Sequence, residues 1–179
     1  MAGLSLTNLV LVGWLLWIVV RRQLEARVIR FKGNFFVLVI LLGIASIGDA
    51  YSKQTIKIST QTAFVFGTLS LISAVLFGLL RALTYRFWVN NDGLVMREGN
   101  WLTLVLWLTS IIVHLGIDQL WTGSNVTLLL YFGLTLGVQR GWVWYRAQRQ
   151  FPNEIHANVE AQYDRSQSRR RRSERKLDR

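Results

Sequence analysis

The sequence predicts an all-α integral membrane protein with about five transmembrane helices, its N-terminus outside and its C-terminus inside. Three observations predict it. Hydrophobic residues make up 51% of the 179 and charged residues only 17%, against roughly 25% charged in a soluble domain. Five apolar runs approach the roughly 20 residues that cross a bilayer core. Of 21 Lys and Arg, 19 fall in alternate segments between those runs and 2 in the others, the bias that places basic segments in the cytoplasm.

The first run, Gly3 to Val20, is followed by Arg21-Arg22 and not by a small-residue cleavage site, so it is expected to remain as a spanning helix and not to act as a signal peptide. From Arg21 to Lys32, Leu24, Val28 and Phe31 recur at helical spacing among basic residues. That stretch reads either as a short helix on the inner leaflet or as the frayed end of the first helix. The second run, Phe35 to Asp49, is the shortest, and it crosses only with help from snorkelling flanks such as Lys32 or from local thinning. The third run, Thr62 to Leu83, places Ser70, Ala74 and Gly78 four residues apart. Trp101 to Leu120 and Asn125 to Trp144 are the fourth and fifth, the latter carrying Gly133-x-x-x-Gly137-x-x-x-Gly141. Small residues on one face let helices approach closely in lipid, either inside one chain or across a homodimer through Gly133, Gly137 and Gly141.

Between the third and fourth runs the chain makes a polar excursion. Arg86 to Val89 and Leu94 to Arg97 are β-prone segments around Asn90-Asn91-Asp92-Gly93, which predicts a short cytoplasmic β-hairpin-like elbow with Gly93 at positive φ. Trp88 and Trp101 are expected at headgroup level. Five basic residues follow the first run (Arg21, Arg22, Arg27, Arg30, Lys32), two the second (Lys53, Lys57) and three occupy the elbow (Arg81, Arg86, Arg97). None lies between the fourth and fifth runs, and the last helix end and tail hold eleven. The domain division is therefore residues 1–150 as the transmembrane helical domain and 151–179 as a basic, disordered cytoplasmic tail, with Pro152 ending the last helix. Each Arg of that tail near an anionic leaflet contributes on the order of 1 kcal/mol. Anionic lipids are thus the expected contact of the tail, ahead of nucleic acid.

The absence of Cys removes disulfides and thiolate metal sites, and two His, His114 and His156, are too few for a multi-histidine centre. No cofactor, metal or catalytic constellation is expected. Asp92 and Glu98, close to Arg86 and Arg97, read as parts of a structured cap. The fourth run carries a polar stripe of Thr103, Trp107, Ser110, His114 and Asp118, and the fifth a second one of Thr127, Tyr131, Thr135 and Gln139. Polar groups at membrane depth avoid lipid, so the two stripes either line a shared crevice or satisfy each other. Asn125-Val126-Thr127 fits a glycosylation triplet at the membrane boundary.

The series Arg81-x-x-Thr84-x-Arg86-x-Trp88, Asp92-Gly93, Arg97-x-Gly99 and Leu102-Thr103-x-x-x-Trp107-x-x-Ser110 resembles the CcdC-like family of small bacterial multi-span membrane proteins. The activity of that family is unassigned, so the resemblance implies a location in the bacterial cytoplasmic membrane and transfers no catalytic residue. Two functional expectations follow from the residues themselves. The first is a non-enzymatic accessory protein presenting elbow and tail to a lipid or to a membrane or cytoplasmic protein. The alternative is a small-solute or proton-linked transporter or channel using the polar faces of the fourth and fifth helices.

Overall fold

The structure, a computed structural model, describes residues 14, 17, 20, 21, 23–30, 33–54, 59–121 and 126–177. Most of the first apolar run lies outside the described residues, as do Asn125 of the glycosylation triplet and Lys32. Five helices follow in order: α1 (Gly33–Ser52), α2 (Thr60–Leu83), α3 (Trp101–Trp121), α4 (Leu128–Gln150) and α5 (Ile155–Leu177). Three short strands, β1 (Arg27–Val28), β2 (Arg86–Val89) and β3 (Val95–Glu98), make one antiparallel sheet in the order β1-β3-β2.

Three stretches, Gly33–Ser52, Gln61–Leu83 and Trp101–Asp118, are long and apolar enough to cross a membrane. The second run, short as an apolar string, becomes a helix of 20 residues, which at 1.5 Å per residue reaches about 30 Å. Phe35, Leu38, Phe64, Leu69, Ile72, Leu102 and Ile112 all stand exposed on these three helices. Apolar surface of that extent has no place in water.

The fifth run does not meet the same standard, and its position explains why. α4 packs against α1, α2 and α3 and buries Tyr131, Gly133, Thr135, Gln139, Val143 and Ala147. The face of α4 packed on its neighbours meets side chains, so polar residues are tolerated there where their partners are within reach. The small residues serve this packing. A Cβ at Gly43 of α1 would lie 2.5 Å from the backbone nitrogen of Leu130, and one at Gly78 of α2 would lie 2.9 Å from the carbonyl oxygen of Thr135. Gly133 and Gly137 turn toward Ile40 and Phe36 of α1, whereas Gly141 has open space beside it. Helix α1 of the same chain thus occupies most of the glycine stripe.

At one end of the bundle the elbow forms the expected hairpin, with Arg86 opposite Glu98, Phe87 opposite Arg97, Trp88 opposite Met96 and Val89 opposite Val95. Asn90 organises the turn. Its side-chain oxygen accepts from the backbone N–H of Asp92 (3.2 Å) and of Leu94 (2.8 Å), and Gly93 has φ +73°.

The stretch after Arg21 departs from both expectations for it. Helical residues continue to Leu24, but Arg27 and Val28 then pair with Arg97 and Met96 as a third strand. The physical reason is the open edge of β3, whose unpaired N–H and C=O groups are satisfied by an added strand. Gly99 makes room for this crossing, because a Cβ there would overlap the carbonyl oxygen of Gln23.

The tail, expected to be disordered from residue 151, is helical from Ile155 to Leu177. Its first turns belong to the packed body. Ile155 joins Ile29, Ala82, Tyr85, Val95, Val143 and Ala147 in the core beneath the sheet. The Asn158 amide accepts from Val95 N–H (2.8 Å) and donates to the carbonyls of Ile29 (3.0 Å) and Val95 (2.9 Å). Arg146 of α4 completes this end by donating to the terminal carbonyls of Ala82 (3.2 Å) and Leu83 (3.4 Å), which suits a cation at a helix C-terminus.

Candidate functional site

Two polar groups occupy the interior of the described residues. The first lies toward the end of the bundle away from the sheet. Thr127 donates its hydroxyl to Asp118 Oδ1 at 2.8 Å and lies 3.2 Å from His114 Nε2, while Ser70 Oγ lies 3.4 Å from His114 Nδ1. A threonine hydroxyl has one proton, so with that proton on Asp118 the contact to His114 requires an Nε2–H donor. Nδ1 is then the acceptor for Ser70, and a neutral imidazole satisfies every partner. Tyr131 stacks on the ring at 3.9 Å and 10° and places its hydroxyl 3.4 Å from Ser73. The stripes of α3 and α4 therefore meet each other and α2.

Other members of the α3 stripe have separate tasks. Thr103 begins the helix through reciprocal bonds with Asn100, its N–H donating to Asn100 Oδ1 (3.0 Å) and its hydroxyl accepting from Asn100 N–H (3.1 Å). This is capping-box logic. The same hydroxyl meets Thr84 Oγ1 at 2.6 Å, tying the end of α2 to the start of α3. Ser110 bonds back to the Trp107 carbonyl at 2.9 Å.

The second group lies where the sheet sits on α4. Gln139 donates from Nε2 to the Tyr85 hydroxyl (2.8 Å), and Tyr85 donates in turn to Gln23 Oε1 (3.0 Å). Arg97 stacks its guanidinium 4.7 Å from the centre of the Tyr85 ring, a cation–π contact. Arg27 is the direct cross-strand neighbour of Arg97, and Arg140 of α4 interacts electrostatically with Arg97, Tyr85 and Arg27. Arg81 is 2% and Arg97 4% exposed. Arg27 Nε, Arg81 Nη2, Arg97 Nε and Nη1, and Gln139 Oε1 are buried with no hydrogen-bond partner.

The elbow residues singled out by sequence thus separate. Arg81, Arg97 and Gly99 turn into the body, and Thr84 links two helices. Arg86 and Asp92 are exposed, with Asp92 engaged in the turn by Asn90 Nδ2 at 3.1 Å. Trp88 lies on the opposite sheet face from Arg97, opposite Met96. Sequence reasoning missed Tyr85, Arg27, Arg140, Gln23 and Asn158. Alternation in β3 was the available signal, since the buried Val95 fixes the face on which Arg97 stands.

The fold defines a helical bundle with three helices able to cross a membrane and a three-stranded cap at one end. No family model matches the chain, and neither does any curated protein or solved structure. Among the described residues no group of His, Cys, Asp or Glu could hold a metal ion.

Proposed function

We propose that the protein is a non-enzymatic accessory protein of the cytoplasmic membrane, which holds its sheet and α5 at the inner surface for a membrane or cytoplasmic partner. One observation carries this reading. The polar groups in the body of the bundle bond to one another, His114 of α3 to Thr127 at the N-terminus of α4 and to Ser70 of α2, and Asp118 to Thr127, whereas the cap draws together segments from across the chain. Hydrogen bonds from Asn158 to Ile29 and Val95, and from Gln139 to Tyr85, join residues distant in sequence, giving the cap a defined shape that a partner can recognise. The basic balance of the flanking segments supports the inward placement, and the resemblance of the elbow to the CcdC-like family agrees with it.

A photocrosslinking residue placed at Trp88 or Asp92 in intact membranes tests the reading. Adducts to a protein or lipid are expected from both positions. Absence of adducts above the uncrosslinked control from either cap position would remove the proposal.

A further inference from the structure

The unsatisfied donors gathered beneath the sheet are cations, and their arrangement is costly for the protein alone. Arg27 and Arg97 stand directly opposite each other on adjacent strands, a placement in which like charges destabilise a sheet. Arg140 adds a third guanidinium from α4, within electrostatic reach of both. Glu25 pairs with Arg27 Nη2 at 2.8 Å on the half-exposed side of the cluster, leaving Arg27 Nε and Arg97 Nε and Nη1 pointing into the interior without acceptors. Tyr85 is locked between Gln139 and Gln23, so its ring holds Arg97 in place and prevents it from swinging toward water.

Buried N–H groups left without acceptors cost more than their bonds would contribute if made. Guanidinium forks are suited to the paired oxygens of a phosphoryl group. Both considerations ask for the same missing partner, an anion with several oxygens that sits between the strands and α4. Arg27 and Arg140 remain partly open, which supplies the approach.

We infer that Arg27, Arg97 and Arg140 form a cradle for a phosphate-bearing anion, held by charge-assisted hydrogen bonds against the Tyr85 ring. The cradle sits at the sheet end of helices able to cross a membrane, so the phosphate belongs either to a lipid headgroup or to a soluble phosphate compound. The inference stands apart from the accessory reading, since it concerns what fills the body of the cap and not what docks on its outside. It also differs from diffuse attraction to the basic tail, which needs no particular arginine.

The full-length protein in nanodiscs of phosphatidylcholine provides the test, with thermal midpoint as readout. Three additions are compared: phosphatidylglycerol in the disc, inorganic phosphate in the buffer, and sodium chloride at matched ionic strength. A rise in midpoint with phosphatidylglycerol alone identifies a lipid headgroup. A rise with inorganic phosphate beyond that with chloride identifies a soluble anion. In Arg97→Gln/Arg140→Gln the rise should vanish, with affinity for the active probe roughly tenfold weaker or more. The midpoint in plain phosphatidylcholine should increase, because like-charge repulsion is relieved. Arg149→Gln removes a charge outside both the cradle and the tail and should respond as the parent does. No rise in the parent with either probe overturns the inference, and so does a rise that the cradle variant retains. If the double variant does not fold, Arg140→Gln alone, at a partly exposed position, makes the same comparison.

Discussion

Gly93 is the residue at which backbone geometry and local sequence agree most directly. Its φ of +73° lies where a β-branched side chain is strongly disfavoured, and a Cβ there would meet nothing within 4 Å. A larger residue is therefore penalised by the backbone and not by crowding. Gly93→Val should cost roughly 1–3 kcal/mol of elbow stability while the helices remain inserted. Limited proteolysis between Arg86 and Arg97 checks this, since the variant should be cut faster than the parent at equal abundance. At the same scale, Arg97 illustrates a residue whose type was legible and whose task was not. Sequence placed it at the end of the elbow's second β-prone segment; the β3 register turned it onto Tyr85.

Among the elements, α5 departs furthest from its composition. Its basic residues suggest an unstructured tail, yet Asn158 inserts into the end of the β1–β3 ladder and makes three bonds to backbone groups. Asn158→Ala would leave the buried N–H of Val95 without an acceptor and should destabilise the cap by about 2–3 kcal/mol. Hydrogen exchange at Val95 is the measurement, and it should quicken while exchange within α2 is unchanged. Unaltered exchange at Val95 would mean that α5 is held by Ile155 alone. The glycine stripe of α4 shows a related division: Gly133 and Gly137 face α1, so their spacing reflects packing within the chain.

For the molecule as a whole, the charge asymmetry is the ground for the proposed threading, and the described residues set the sheet, α5 and the elbow at one end. A cysteine introduced at Ser52 or Gly123 should label from outside intact cells, while one at Asn91 or Ser168 should not. The chain has no native Cys, so each label reports one position. External labelling at Asn91 would invert the arrangement or delete a span.

What the sequence determined by itself was local or additive. Apolar run length, basic-residue asymmetry, the Asn-Asn-Asp-Gly turn and the absence of Cys each act within a few residues or sum over a segment. They sufficed for helices α1 to α4, the hairpin and the exclusion of thiolate chemistry. Tertiary structure decided the rest because those choices depend on neighbours remote in the chain. β1 exists because β3 has an edge to fill, and α4 tolerates Thr135 and Gln139 because they lie on its buried face. His114 is satisfied because Thr127 and Ser70 arrive from different helices. The arginine cradle belongs to the same class. Arg27, Arg97 and Arg140 lie in three separate segments, each ordinary where it stands, and only the pairing of strands on α4 brings their charges together.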